Sequence, residues 1–107
     1  MITEYNSGRT RELLRLPRNM LRLVTGIFTG HVELNRHLNI MGIIDDPICN
    51  NCEEGPETAI HFLCECSRYA ALRHEIWGKF YLYPADMESV RDLVRFIRRS
   101  QRFSLPI

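Results

Sequence analysis

The sequence predicts a small, mainly α-helical domain organised around a zinc-binding loop of the CCHC structural type, with about four to five short helices. Three observations predict it. Apolar residues recur at helical spacing in separate segments, all four cysteines fall within residues 49–66 beside His61, and no alternating strand pattern occurs outside that loop.

Residues 1–8 are polar and end in Ser7-Gly8, which predicts a disordered N-terminal end. Residues 9–107 are then expected to form a single small domain, in which the zinc segment spans 47–67 and a basic C-terminal helix spans 87–102. Leu13, Leu16, Met20, Leu23 and Ile27 recur at helical spacing, with Arg11, Arg15, Arg18 and Arg22 on the opposite side. Pro17 suits a first helical turn and breaks an interior, so a helix is expected to begin there after a shorter one. Gly26 and Gly30 mark its stop. Val32 to Met41 carries Leu34, Leu38 and Met41 at helical spacing, and Gly42 follows as a C-terminal cap. Asp45-Asp46-Pro47 reads as a solvated turn entering the cysteine loop, and Glu53-Glu54-Gly55-Pro56 as the turn leaving it. Thr58 to Glu65 is expected to be a short helix. Ser67 caps the next, from Arg68 to about Phe80, with Tyr69, Leu72, Ile76 and Phe80 on one side. Pro84 separates it from the last helix, where Val90, Leu93, Val94 and Ile97 face inward and Arg91, Arg95, Arg98 and Arg102 form a second stripe.

The net charge of +1 conceals a segregation. Arg9 to Arg36 holds six arginines against two glutamates, whereas Ile43 to Cys66 holds six acids and no Lys or Arg. No apolar run approaches the roughly 20 residues of a membrane span, and the start has no secretory signal pattern. A reducing, intracellular setting, cytoplasmic or nuclear, is the resulting expectation, and there clustered cysteines favour a metal over disulfides.

Structural zinc takes four thiolate or imidazole ligands in a tetrahedron. Cys49-Asn50-Asn51-Cys52 offers two thiolates from one tight turn, and the second half offers His61 with either Cys64 or Cys66. Cys64 shares the helical face of His61, while Cys66 reaches the ion only if the helix ends near Glu65. Ser67, a cap for the following helix, favours Cys66 and leaves Cys64 as a small buried hydrophobe. Four available protein ligands point to one structural zinc and away from an enzyme, since a catalytic zinc keeps a position open for water. His31 and His37 read as packed or capping side chains and His74 as solvent-facing. Trp77, Tyr81 and Tyr83 read as core aromatics or as platforms for stacked bases.

Five blocks carry a further signal: Leu21-Arg22-Leu23-Val24-Thr25-Gly26, Thr29-Gly30-His31, Leu34 with His37-Leu38, Cys49-x2-Cys52, and Glu57-Thr58-x2-His61-x4-Cys66 followed by Arg73. Their order and spacing over residues 15–78 resemble the extreme C-terminal region of insect non-LTR retrotransposon polyproteins. The resemblance implies a zinc site at Cys49, Cys52, His61 and Cys66 and no catalysis in these residues. It also implies a parent polyprotein whose reverse transcriptase and, in many members, RNase H domain lie elsewhere. Ser67 stands where many members have proline, and eight residues separate Cys52 from His61, more than in a retroviral-type knuckle. The expected function is a zinc-stabilised module that helps hold nucleic acid, RNA or DNA, through the two arginine stripes. The alternative is a module whose zinc only folds it and whose helices dock on the reverse transcriptase or RNase H domain.

Overall fold

A computed structural model of the chain describes residues 14–103. The predicted disordered end and Arg11 lie outside those residues. Four α-helices order the described part: α1 (Arg18–Thr29), α2 (Asn35–Ile40), α3 (Ala70–Trp77) and α4 (Val90–Ser100). Shorter turns intervene, a π-helical one at His61–Glu65 and 3-10 turns at Ser67–Tyr69 and Pro84–Asp86. Among the described residues the only extended pairing is an isolated antiparallel bridge between Ile48 and Pro56. The mainly helical class expected from sequence is the observed one.

Pro17 stands just before α1 with φ −54° and ψ 149°, its carbonyl accepting from Leu21 N at 2.8 Å, so the proline initiates the helix as expected. The helix does not stop at Gly26. It runs through that buried glycine to Thr29 and ends at Gly30, whose φ of 78° puts it in the left-handed region. Gly26 serves a close approach instead. A Cβ there would lie 3.1 Å from His31 O and 3.3 Å from Val32 Cβ, where the chain doubles back.

The three later helices are shorter than their apolar spacing suggests, each for a local reason. In α2, Val32 and Leu34 are drawn into the core by extended backbone at Leu34, and the first helical N–H, from Asn35, donates to the Glu57 carboxylate at 2.9 Å. Gly78, with φ 77° and its N–H donating to His74 O at 2.8 Å, ends α3 at Trp77, leaving Phe80 outside and stacked on His74. In α4 the Ser89 hydroxyl accepts from Asp92 N at 3.3 Å, so the helix starts at Val90 and not at Met87.

Met20, Val24 and Ile27 from α1 pack with Leu93, Phe96 and Ile97 from α4 around Phe62 and Leu63 of the π turn. Phe62 is the hub, its ring 5.2 Å from those of Tyr69 and Phe96 and 5.7 Å from that of Phe103. Truncating a phenylalanine buried this way typically costs about 3–5 kcal/mol. The segment that carries His61 is therefore anchored by the two residues that follow it.

Candidate metal centre

The first half of the centre is a short hairpin. Cys49 N donates to Gly55 O and Glu57 N to Pro47 O, both at 2.8 Å, so the strands flanking the Ile48–Pro56 bridge close a loop around Asn50 to Glu54. Inside it Glu53 N donates to Cys49 O at 2.9 Å, and Glu53 takes a φ of 59° to complete the turn. The tight turn puts Cys49 and Cys52 on the same side of the loop. Asn51 Nδ2 donates to Tyr69 Oη at 3.0 Å and ties the loop to the turn after Cys66.

The second half begins at Thr58, whose hydroxyl accepts from His61 N at 3.0 Å and whose carbonyl accepts from Phe62 N at 3.0 Å. The turn then widens, and Cys66 N donates five residues back to His61 O at 2.7 Å. In a regular α-helix His61 and Cys66 would point about 140° apart, at about 100° per residue. Widening the turn, together with the extended conformation of Cys66 (φ −64°, ψ 121°), brings the two side chains to one side.

The outcome is a group of four donors, Cys49, Cys52, His61 and Cys66, whose ligand atoms all lie within 4.8 Å of one another. Cys49 Sγ and Cys66 Sγ are 3.8 Å apart, and Cys52 Sγ is 3.2 Å from His61 Nε2. Around tetrahedral zinc, with Zn–S of about 2.3 Å and Zn–N of about 2.0 Å, donors sit roughly 3.5–3.8 Å apart. The set fits a metal ion of that size and softness, consistent with zinc. In the absence of a cation, burial pushes the Cys66 thiol up to about 12, with the neighbouring Cys49 adding to the shift. A divalent cation supplies the charge that lets such buried sulfurs ionise.

Cys64 lies outside this group. It is buried, its thiol pushed up to about 11 by burial, and its carbonyl accepts from Leu82 N at 3.1 Å. Replacing it tests the assignment. Cys64→Ala is expected to keep one zinc per chain by native mass spectrometry and to cost about 1 kcal/mol in urea unfolding; loss of the zinc would move the fourth ligand from Cys66 to Cys64.

Two charged side chains that composition alone hides surround the donors. Arg73 is 0% exposed. Its guanidinium donates to Leu63 O and Cys66 O at 2.7 Å, to Phe62 O at 3.0 Å and to Phe80 O at 3.2 Å. Three of these carbonyls belong to the end of the widened turn, where carbonyls otherwise lack partners. A Cys3His site holding a divalent cation carries one net negative charge, which Arg73 faces through Cys66. Glu57, 1% exposed, is the second. Its carboxylate accepts from Arg102 Nη2 at 2.6 Å, Arg102 Nε at 2.8 Å and Asn35 N at 2.9 Å, and lies 3.9 Å from Cys49 Sγ. Burial pushes this carboxyl up, but the Arg102 and Asn35 hydrogen bonds outweigh it and hold it below its ordinary range. Both residues occur in the sequence blocks, Glu57-Thr58 and Arg73, and that is the one signal by which sequence reasoning had access to them.

The predicted arginine stripes are divided. Arg15, Arg18, Arg22, Arg91, Arg95 and Arg98 are exposed. Arg102 is not part of an outward stripe, because α4 ends at Ser100 and Gln101 turns left-handed (φ 56°), directing Arg102 onto buried Glu57. His31 and His37 sit beside each other, ring centroids 5.6 Å apart, and neither belongs to the donor group. Trp77 packs against Phe96 at 5.5 Å, whereas Tyr81 and Tyr83 are exposed. No helix among the described residues is long and apolar enough to cross a membrane. No protein-family model matches the chain, and no curated protein or solved structure matches it.

Proposed function

We propose that this chain is a non-catalytic zinc-stapled module of a retrotransposon-derived polyprotein that helps its reverse transcriptase hold nucleic acid. The observation that carries the reading is the convergence of Cys49, Cys52, His61 and Cys66 within a segment whose sequence blocks resemble that family. With four protein donors available, a single ion would be closed to substrate and would act by folding the loop.

Exposed arginines from two distant segments support the nucleic-acid part. Arg15, Arg91 and Arg98 make no ion pair among the described residues, and Arg95 has only a 3.8 Å contact with Asp92. The zinc loop itself presents acids, including exposed Glu53 and Glu54, so phosphates would meet the helices and not the knuckle. Fluorescence anisotropy with a labelled single-stranded RNA tests this. Affinity is expected to fall with salt at a log–log slope of about −0.7 per phosphate contact, near −3 if four or five arginines engage. Replacing Arg91, Arg95 and Arg98 with alanine is expected to lower it at least tenfold, by about 1.4 kcal/mol or more. Salt-independent binding, or none with RNA or duplex DNA, would remove the nucleic-acid reading and leave the zinc site standing.

A further inference from the structure

A groove runs between the segment entering α1 and the outer face of α4. Its floor is apolar, made by half-buried Leu16 and Val94 with buried Val90, and Arg15, Arg91, Arg95 and Arg98 line it alongside them. Among the described residues no carboxylate lines it. A phosphate chain would engage the arginines alone and leave the apolar floor uncovered. A helix with an apolar stripe flanked by carboxylates matches both.

Leu16 and Val94 are the apolar side chains of the floor left half-buried, since Val90 is only 3% exposed, and a facing helix would rest its apolar stripe on those two. Arg91, Arg95 and Arg98 span about 10 Å of α4, in reach of acids on either side of such a stripe. We propose that this groove docks an acidic amphipathic helix of a partner protein. The inference goes beyond the nucleic-acid reading: the helix and a nucleic acid would compete for the same four arginines, so an occupied groove excludes phosphate there.

The probe is a fluorescein-labelled synthetic helix of about four turns, with leucines spaced three and four residues apart and glutamates on both flanks, titrated into the zinc-loaded full chain. Saturable binding is expected, weakened at least about fivefold by Val94→Ser and by Arg91→Ala with Arg98→Ala, and weakened likewise when the peptide's glutamates become glutamines. Val94→Ser is chosen because Val94 is only half-buried, and zinc content with the circular dichroism spectrum checks its fold. In parallel, Val94→Ser is expected to leave RNA affinity unchanged, because it removes no charge. Absence of peptide binding overturns the proposal. So does binding that the arginine variants abolish and Val94→Ser does not alter, which would make the groove a track for any polyanion.

Discussion

Stripping the metal with a chelator is expected to unfold most of this chain, and Cys49→Ser or His61→Ala is expected to do the same without one. The donors come from a hairpin with a single bridge and from one widened helical turn, neither of which is stable alone. Beyond the core beneath and the Asn51–Tyr69 hydrogen bond, a bound ion is what would join them. Structural zinc contributes about 10–16 kcal/mol of apparent binding free energy near neutral pH, as much as the about 5–15 kcal/mol that keeps a domain of ordinary size folded. Loss of helical circular dichroism on chelation, recovered on adding zinc back, is the measurement. Native mass spectrometry should show one zinc on the wild-type chain and none on either variant. The pH dependence has a definite sign: zinc needs thiolates, and the Cys66 thiol without a cation lies at about 12, so loading releases protons and acid reverses it. Stability is therefore expected to be present at neutral pH and lost as pH falls. A chelated chain that keeps its helical signal and its melting transition would show that the core suffices.

Arg73→Met is expected to be the most damaging substitution outside the ligands, by about 3–5 kcal/mol in urea unfolding of the zinc-loaded protein. Methionine matches the length of the arginine stem but donates nothing. The carbonyls of Phe62, Leu63 and Phe80 would then lose this donor, while Cys66 O keeps the Tyr69 N–H at 3.2 Å, each unmet buried carbonyl costing about 1–3 kcal/mol. Arg73→Lys should recover only part of the loss, because a single ammonium cannot place donors in the planar fork that reaches four carbonyls. Since Cys66 O is one of the acceptors, a competition assay should also show weaker zinc retention in Arg73→Met. Burial lowers the guanidinium's own basicity, although arginine side chains in proteins keep their charge. A loss below about 1 kcal/mol would mean that the end of the widened turn is held by something else.

Much of this arrangement is legible in residue order because its signals are local. The Cys49-x2-Cys52 spacing and the proline that starts α1 each act through neighbours a few residues away, whereas Ser67, expected to cap α3, makes no capping hydrogen bond there. Apolar spacing likewise marks α1 and α4 and most of the residues by which they pack, although Phe96, at the centre of the core, falls outside the predicted set.

Tertiary structure decided the rest, and in each case the cause is long-range. Whether Cys64 or Cys66 joins His61 depends on a turn that widens by one residue, and Arg73, seven residues beyond Cys66, satisfies the carbonyls at its end. Periodicity cannot distinguish a buried guanidinium from an exposed one, so Arg73, followed by His74 and Glu75, carries no local sign of its burial. Arg102 continues the stripe in sequence, yet a left-handed Gln101 turns it toward a carboxylate 45 residues away, and desolvation of Glu57 makes that pair obligatory. The sequence by itself determined the helical class and the cluster of sulfur and imidazole donors, because both rest on local spacing. How the turn widens to bring the expected Cys66 to the site, and which arginines are left for solvent, were settled only by packing, because burying a charge requires partners that chain order does not reveal.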